Sequence, residues 1–152
     1  MTYQAKRTYG YTQEFELAEE DGTVVHHMKV TLDPGSMAEK LSRQHMEIVK
    51  IQKEVQTIDA SIKNHKILLD AYQKLGNAVM TEIRSVFGDE QSDIIFGFYN
   101  GDYNSIVKEV YPFISEVVIP DVRRIAQQNK RDILQKYNRK TRRALKGKRW
   151  GI

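Results

Sequence analysis

Between Ser36 and Leu75 the chain contains neither proline nor glycine, and Leu41, Ile48, Val55, Ile62 and Leu69 recur through it every seven residues. Met37, Ile51, Ile58 and Tyr72 form a companion apolar set, with Gln44 and His65 as its polar members. Apolar residues at this a/d spacing keep one side of an α-helix turned toward a partner, and about five heptads is coiled-coil length. The segment is therefore helical, and it must bury that stripe against something. One unbroken helix would span roughly 60 Å at about 1.5 Å per residue. A break at Asp59-Ala60-Ser61 would instead fold it into an antiparallel helical hairpin, and the spacing allows both.

The residues before this helix follow a different period. Tyr9, Tyr11, Gln13, Phe15 and Leu17 share one parity, while Thr12, Glu14 and Glu16 share the other. That alternation describes a strand with one buried face. Glu20-Asp21-Gly22 follows, then Val24, His26, Met28, Val30 and Leu32 on alternate positions, so the spacing predicts a β-hairpin over about Tyr9–Leu32. Asp33-Pro34-Gly35 ends the strand, and Ser36-Met37-Ala38-Glu39 has the form of a capping box. Beyond the heptads, Gly76 interrupts the pattern, which resumes in Val79, Ile83, Val86 and Phe87 and stops at Gly88-Asp89. Ser92–Tyr99 reads as a short aromatic helix and Asn100-Gly101-Asp102 as a loop. Asn104-Ser105 opens a helix with Ile106, Val110, Phe113, Ile114 and Val117 on its apolar side. Pro112 kinks that helix or delays its start. Pro120 at the first helical position and Asp121 begin a final helix with a thin stripe of Ile125, Ile133, Leu134, Tyr137 and Leu145, expected to fray after about Arg143. The fold class is mostly α with an N-terminal β-hairpin (α+β), one domain made of a hairpin segment 1–35, a helical body 36–120 and a basic C-terminal helix and tail 121–152.

Charge divides the chain at the last of these boundaries. Residues 1–120 carry 12 Lys/Arg against 18 Asp/Glu, a balance of −6, and residues 121–152 carry 12 against 2, a balance of +10. Such asymmetry points to an acidic partner: nucleic acid, a membrane surface, or an acidic protein face, which could be the body of another copy. A base-reading module is missing from the sequence, and apolar anchors among the charges are limited to Leu145 and Trp150. No stretch approaches the roughly 20 apolar residues of a membrane helix, and the N-terminus lacks the apolar core of a secretory signal. The chain has no cysteine. His26 and His27 point to opposite faces of a strand, and His45 and His65 lie twenty residues apart, so no metal set is expected. Neither a phosphate-binding loop nor a nucleophile or zinc motif is present, so no enzymatic role and no cofactor are expected.

Seven of the chain's 14 aromatic residues fall between Phe87 and Phe113. Phe87, Phe96, Phe98, Tyr99, Tyr111 and Phe113 form either a core that closes over the long helices or a partly exposed surface for a protein partner. Val86-Phe87-Gly88-Asp89-Glu90 and Ile94-Ile95-Phe96-Gly97 precede Tyr103-Asn104-Ser105-Ile106 and a closing helix ending Asn138-Arg139-Lys140-Thr141-Arg142-Arg143. In this layout the chain resembles the tail assembly chaperones of long-tailed phages and prophages of Gram-positive bacteria. The resemblance implies a non-catalytic protein of the infected host's cytoplasm that keeps the tape measure protein soluble, helps recruit tail tube subunits, and is absent from the mature virion. It implies that the aromatic Phe-Gly segments are surface or packing elements, and Phe87, Phe96, Phe98, Tyr99, Tyr111 and Phe113 are the candidates for binding a protein partner. Arg139, Lys140, Arg142 and Arg143 are candidates for docking on an acidic protein surface. Self-association through the heptads or the hairpin edge is expected as well. The rival expectations are a nucleic-acid-binding protein that uses the basic helix and a structural component of the virion.

Overall fold

The computed structural model describes residues 1–6, 10–60 and 65–150, with side chains for all of them except residues 59, 60 and 140–150. Strand β1 (Tyr11–Ala18) pairs antiparallel with β2 (Val24–Leu32), with Tyr11 opposite Leu32 and Phe15 opposite Met28. Tyr9, expected to open the hairpin, lies outside the described residues. The parity is as the sequence implies: Tyr11, Leu17, Met28, Val30 and Leu32 are buried, and Glu14, Glu16 and Lys29 are exposed. At the tip Gly22 takes a φ of 90°, which an L side chain rarely adopts, and its N–H donates to Glu19 O at 2.9 Å. The hairpin is not left alone in water, where it would be marginal. The Gln91 amide accepts from Lys29 N–H (3.2 Å) and donates to Lys29 O (3.1 Å), fastening the outer edge of β2.

Helix α1 (Pro34–Ala60) starts a turn earlier than the capping-box reading placed it. Asp33 is the cap: its Oδ1 accepts from Gly35 N–H at 3.2 Å and its carbonyl accepts from Met37 N–H at 3.0 Å. Pro34 then occupies the first helical position, where a missing N–H costs nothing. Ser36 is already inside the helix and donates back to Asp33 O.

Helix α2 (His65–Phe98) runs back along α1. Gln44 Nε2 donates to Ser85 Oγ at 3.2 Å, and Lys74 pairs with Glu54 at 3.8 Å, so the pairing is antiparallel. The long segment thus supplies two antiparallel helices, α1 up to Ala60 and α2 from His65, and Ser61 of the expected break lies outside the described residues. The apolar face that joins the two helices comprises Leu41, Ile48, Ile51 and Val55 from α1 and Val79, Ile83 and Val86 from α2, all buried. The seven-residue spacing marks this face as far as Val55 and again, in the same register, at Val79, Ile83 and Val86, but not between them. Leu69 and Tyr72, which continue the period, are exposed, His65 is exposed, and Ile62 lies outside the described residues.

Gly76 does not break α2 as expected; it lies buried in the helix, and a Cβ there would sit 3.4 Å from the Tyr103 ring. The interruption comes at Gly88 (φ 79°, ψ 170°), beyond which the helix resumes to Phe98. Asn100 and Gly101, both at positive φ, turn the chain into α3 (Tyr103–Glu109), capped by Asp102 rather than opened by Asn104. The single helix expected from Asn104 to Val117 is replaced by α3 and a π-helical turn, Phe113–Val118, whose N-cap is Pro112. Ile114 and Val118 are buried in that turn and Val117 is exposed, since widening the helix rotates the face presented to the core.

The π turn leads without a gap into α4 (Ile119–Trp150), so the helix neither starts afresh at Pro120 nor ends at Arg143. Helix α4 runs antiparallel to α1. Tyr111, just before the π turn, stacks on His45 at 5.9 Å, Arg123 and Ala126 face Ala38 and Ser42, and Ile125 approaches Gly10 beside Pro34. Helix α4 therefore passes the start of α1 and continues, and every residue from 127 to 139 is exposed. Its last 20 residues amount to about 30 Å of helix.

Candidate binding surfaces

The aromatic segment separates into three groups. Phe87 is buried and, with Phe15 and Phe113, forms a ring triangle with centroids 4.8–5.8 Å apart. This cluster fixes the hairpin to α2 and the π turn. Phe96 is half-buried beneath the Arg84 guanidinium, 5.1 Å above its ring, and that guanidinium is held by Asp89 (3.2 Å) and Asp93 (2.9 Å). Phe98 and Tyr99 meet edge to face at 5.0 Å, and His26 approaches Phe98 edge-on at 6.3 Å. Offset and edge arrangements of this kind favour ordered packing, and half-burial leaves Phe96, Phe98 and Tyr99 partly open to a partner.

Tyr111 belongs to a buried polar cluster that the sequence did not announce. Its hydroxyl donates to Glu82 Oε1 at 3.3 Å and lies 2.6 Å from His45 Nδ1. A phenol has one hydrogen, so with that hydrogen given to Glu82, His45 Nδ1–H is the donor to the Tyr111 oxygen. Glu82 is 0% exposed, and its Oε2 makes no hydrogen bond among the described residues. Burial pushes the Glu82 carboxyl up to about 7, against the smaller opposing effect of the Tyr111 hydrogen bond. Burial and the neighbouring carboxylate likewise push the Tyr111 phenol up. The cluster joins α1, α2 and the entry to the π turn.

An open apolar cleft lies where α2 passes α3. Leu69, Tyr72 and Leu75 on α2 face Tyr103 and Val107 on α3 across a cleft of about 450 Å³. Gly76 forms part of its floor, and the lack of a Cβ there lets the Tyr103 ring lie against the helix. Leu69 is 67% exposed and Tyr103 44% exposed, with Ile67 exposed close by in sequence. Asp102 fixes the rim by accepting from Asn104 N–H (3.1 Å) and Ser105 Oγ (2.7 Å), bonds that hold its carboxyl below the usual carboxylate range. Sequence reasoning assigned Leu69 and Tyr72 to a helix seam and missed this cleft. The available signal was Gly76, the one small residue four positions beyond Tyr72.

Of the basic candidates, Arg139 is exposed on α4, and the side chains of Lys140, Arg142 and Arg143 lie outside the described residues. Ile133 (67% exposed) and Leu134 (60% exposed) stand on the same projecting helix. Among the described residues no three His, Asp or Glu side chains converge as a metal set, and no helix is long and apolar enough to cross a membrane. Compared with protein-family models, curated proteins and solved structures, the chain matches none of them.

Proposed function

We propose that this chain is a non-catalytic tail assembly chaperone that holds the tape measure protein in soluble form and helps bring tail tube subunits to it. The observation that carries the reading is the cleft between α2 and α3, with Leu69 and Tyr103 exposed at its mouth. A row of apolar side chains left open to water is a liability unless a partner covers it, and an amphipathic client helix presents the matching stripe. The half-buried Phe96, Phe98 and Tyr99 extend the same kind of surface. The client class is taken from the resemblance of the Phe-Gly layout and closing helix to tail assembly chaperones. Repeated weak contacts along a long client would add by avidity, so each remains reversible and the chaperone can leave as the tail matures. It acts in the host cytoplasm, and mass spectrometry of purified virions should find none of it; stoichiometric amounts there would assign it to the virion structure instead.

The charge of α4 favours a second reading, binding of nucleic acid along the basic helix. Backbone binding of that kind releases counterions and weakens steeply as salt rises. The two readings separate in one pair of measurements. The chaperone reading expects Leu69→Asp to abolish solubilisation of coexpressed tape measure protein and deletion of 138–152 to leave it largely intact. The nucleic-acid reading expects tight, salt-dependent DNA or RNA binding that the same deletion removes.

A further inference from the structure

In the folded chain, α1 and α4 each use only half of the face they share. On α1, Ala38, Ser42, His45 and Val49 follow one another at steps of four, three and four, which puts them on one side of the helix. Helix α4 and the residue that leads into it cover the first three: Ala38 and Ser42 face Arg123 and Ala126, and His45 stacks on Tyr111. From Val49 onward the cover is gone. The stripe widens there into an open groove of about 740 Å³ along Met46, Val49, Lys53 and Thr57, with Met46 70% exposed. On α4, Val122 and Ala126 are buried, and Ile133 continues their side of the helix at a step of seven. That residue and Leu134 lie beyond the start of α1 and are exposed, with none of the described residues burying them.

We infer that these two half-used faces belong to one contact, in which the projecting end of α4 from one copy lies in the α1 groove of the next. Three observations select a second copy as occupant. The contact is continuous with one that the fold already makes: if the next copy's α1 follows this one end to end, α4 runs off the first α1 and onto the second, antiparallel to both. The lengths agree, because Met46–Ile58 covers about 20 Å and the projecting part of α4 about 30 Å. The charges are complementary, opposite in sign, with +10 on residues 121–152 and −6 on the body they would approach. The groove itself carries Lys50, Lys53 and Glu54, the last paired with Lys74, so apolar contact with the groove and attraction to the body as a whole drive the docking. Groove and projecting helix are different surfaces, so the contact is head to tail and leaves one free end of each kind. The inference does not rest on the client reading, whose cleft lies between α2 and α3.

The chain has no cysteine, which permits a test without background. With Thr57→Cys and Leu134→Cys in one chain, the two thiols sit at opposite ends of the α1–α4 pair, beyond disulfide reach of each other. Mild oxidation should give a ladder of dimers, trimers and larger species, and neither single-cysteine chain should pass the dimer. Sedimentation of the cysteine-free chain should show mass rising with concentration and falling with added salt. Met46→Lys/Glu54→Lys closes the groove to a basic helix, and Ile133→Glu/Leu134→Glu removes the helix stripe. All four positions are exposed, so both variants should keep the wild-type circular dichroism. Each alone should be monomeric, and a mixture should form a 1:1 heterodimer and nothing larger, since one intact groove meets one intact helix. A wild-type chain that stays monomeric at the highest concentration reached would overturn the inference. So would a double-cysteine ladder that Met46→Lys/Glu54→Lys leaves unchanged.

Discussion

Glu82 is fully buried on a helix face otherwise made of Val79, Ile83 and Val86. A carboxyl there keeps its proton in the folded chain up to about pH 7, whereas in the unfolded chain it loses it near 4.5. The folded state therefore binds the proton more tightly. The stabilisation is full below pH 4.5 and is lost as pH rises to and through 7, a change of order 3 kcal/mol. Glu82→Gln removes the titrating group and leaves an acceptor for Tyr111. Its melting temperature should vary little between pH 5 and 8 and exceed that of the wild type at pH 8. Parallel melting curves for the two chains would contradict this. Gly88 constrains the fold differently. Nothing lies within 4 Å of where its Cβ would stand, yet its φ of 79° and ψ of 170° suit glycine alone. Gly88→Ala should cost about 1–3 kcal/mol in urea unfolding through backbone strain, and a near-neutral result would contradict the assignment.

At the scale of elements, the hairpin was legible because alternation in a strand states which side is covered without saying by what. The same limit explains where the heptads misled. A seven-residue period identifies an apolar face but not its partner: α2 runs back along α1, and α1 packs on Val79, Ile83 and Val86, late members of the same period. Leu69 and Tyr72 keep the spacing and line the cleft instead. The π turn was not legible, because a proline such as Pro112 signals a change of helix without stating its kind. The cap was misread by a turn because Asp33-Pro34-Gly35 both ends β2 and opens α1. That difference is measurable: Asp33→Ala should lose about 1 kcal/mol of stability in denaturant, and Ser36→Ala at most a few tenths. Equal losses would restore Ser36 as the cap.

At the scale of the molecule, the folded body offers three unlike surfaces: an apolar cleft beside Tyr103, an open groove along α1, and a basic helix that projects past α1. The cleft was hidden from the sequence because it joins residues some thirty positions apart, Leu69 and Tyr103, whose meeting depends on Gly76 and the turn at Asn100–Gly101. The projecting helix was visible as a block of charge, but its exposed Ile133 and Leu134 gain meaning only once α1 is seen to end beside Ala126. Separate surfaces let one copy hold a client while it touches its neighbours. The central claim is that the cleft receives the client. The most direct measurement is the soluble fraction of tape measure protein coexpressed with the wild-type chain and with Leu69→Asp, a substitution at an exposed position that should leave the fold's melting temperature unchanged. The account predicts that the wild type keeps the client soluble and that Leu69→Asp loses most of that effect. A Leu69→Asp chain that solubilises the client as well as the wild type does would contradict it.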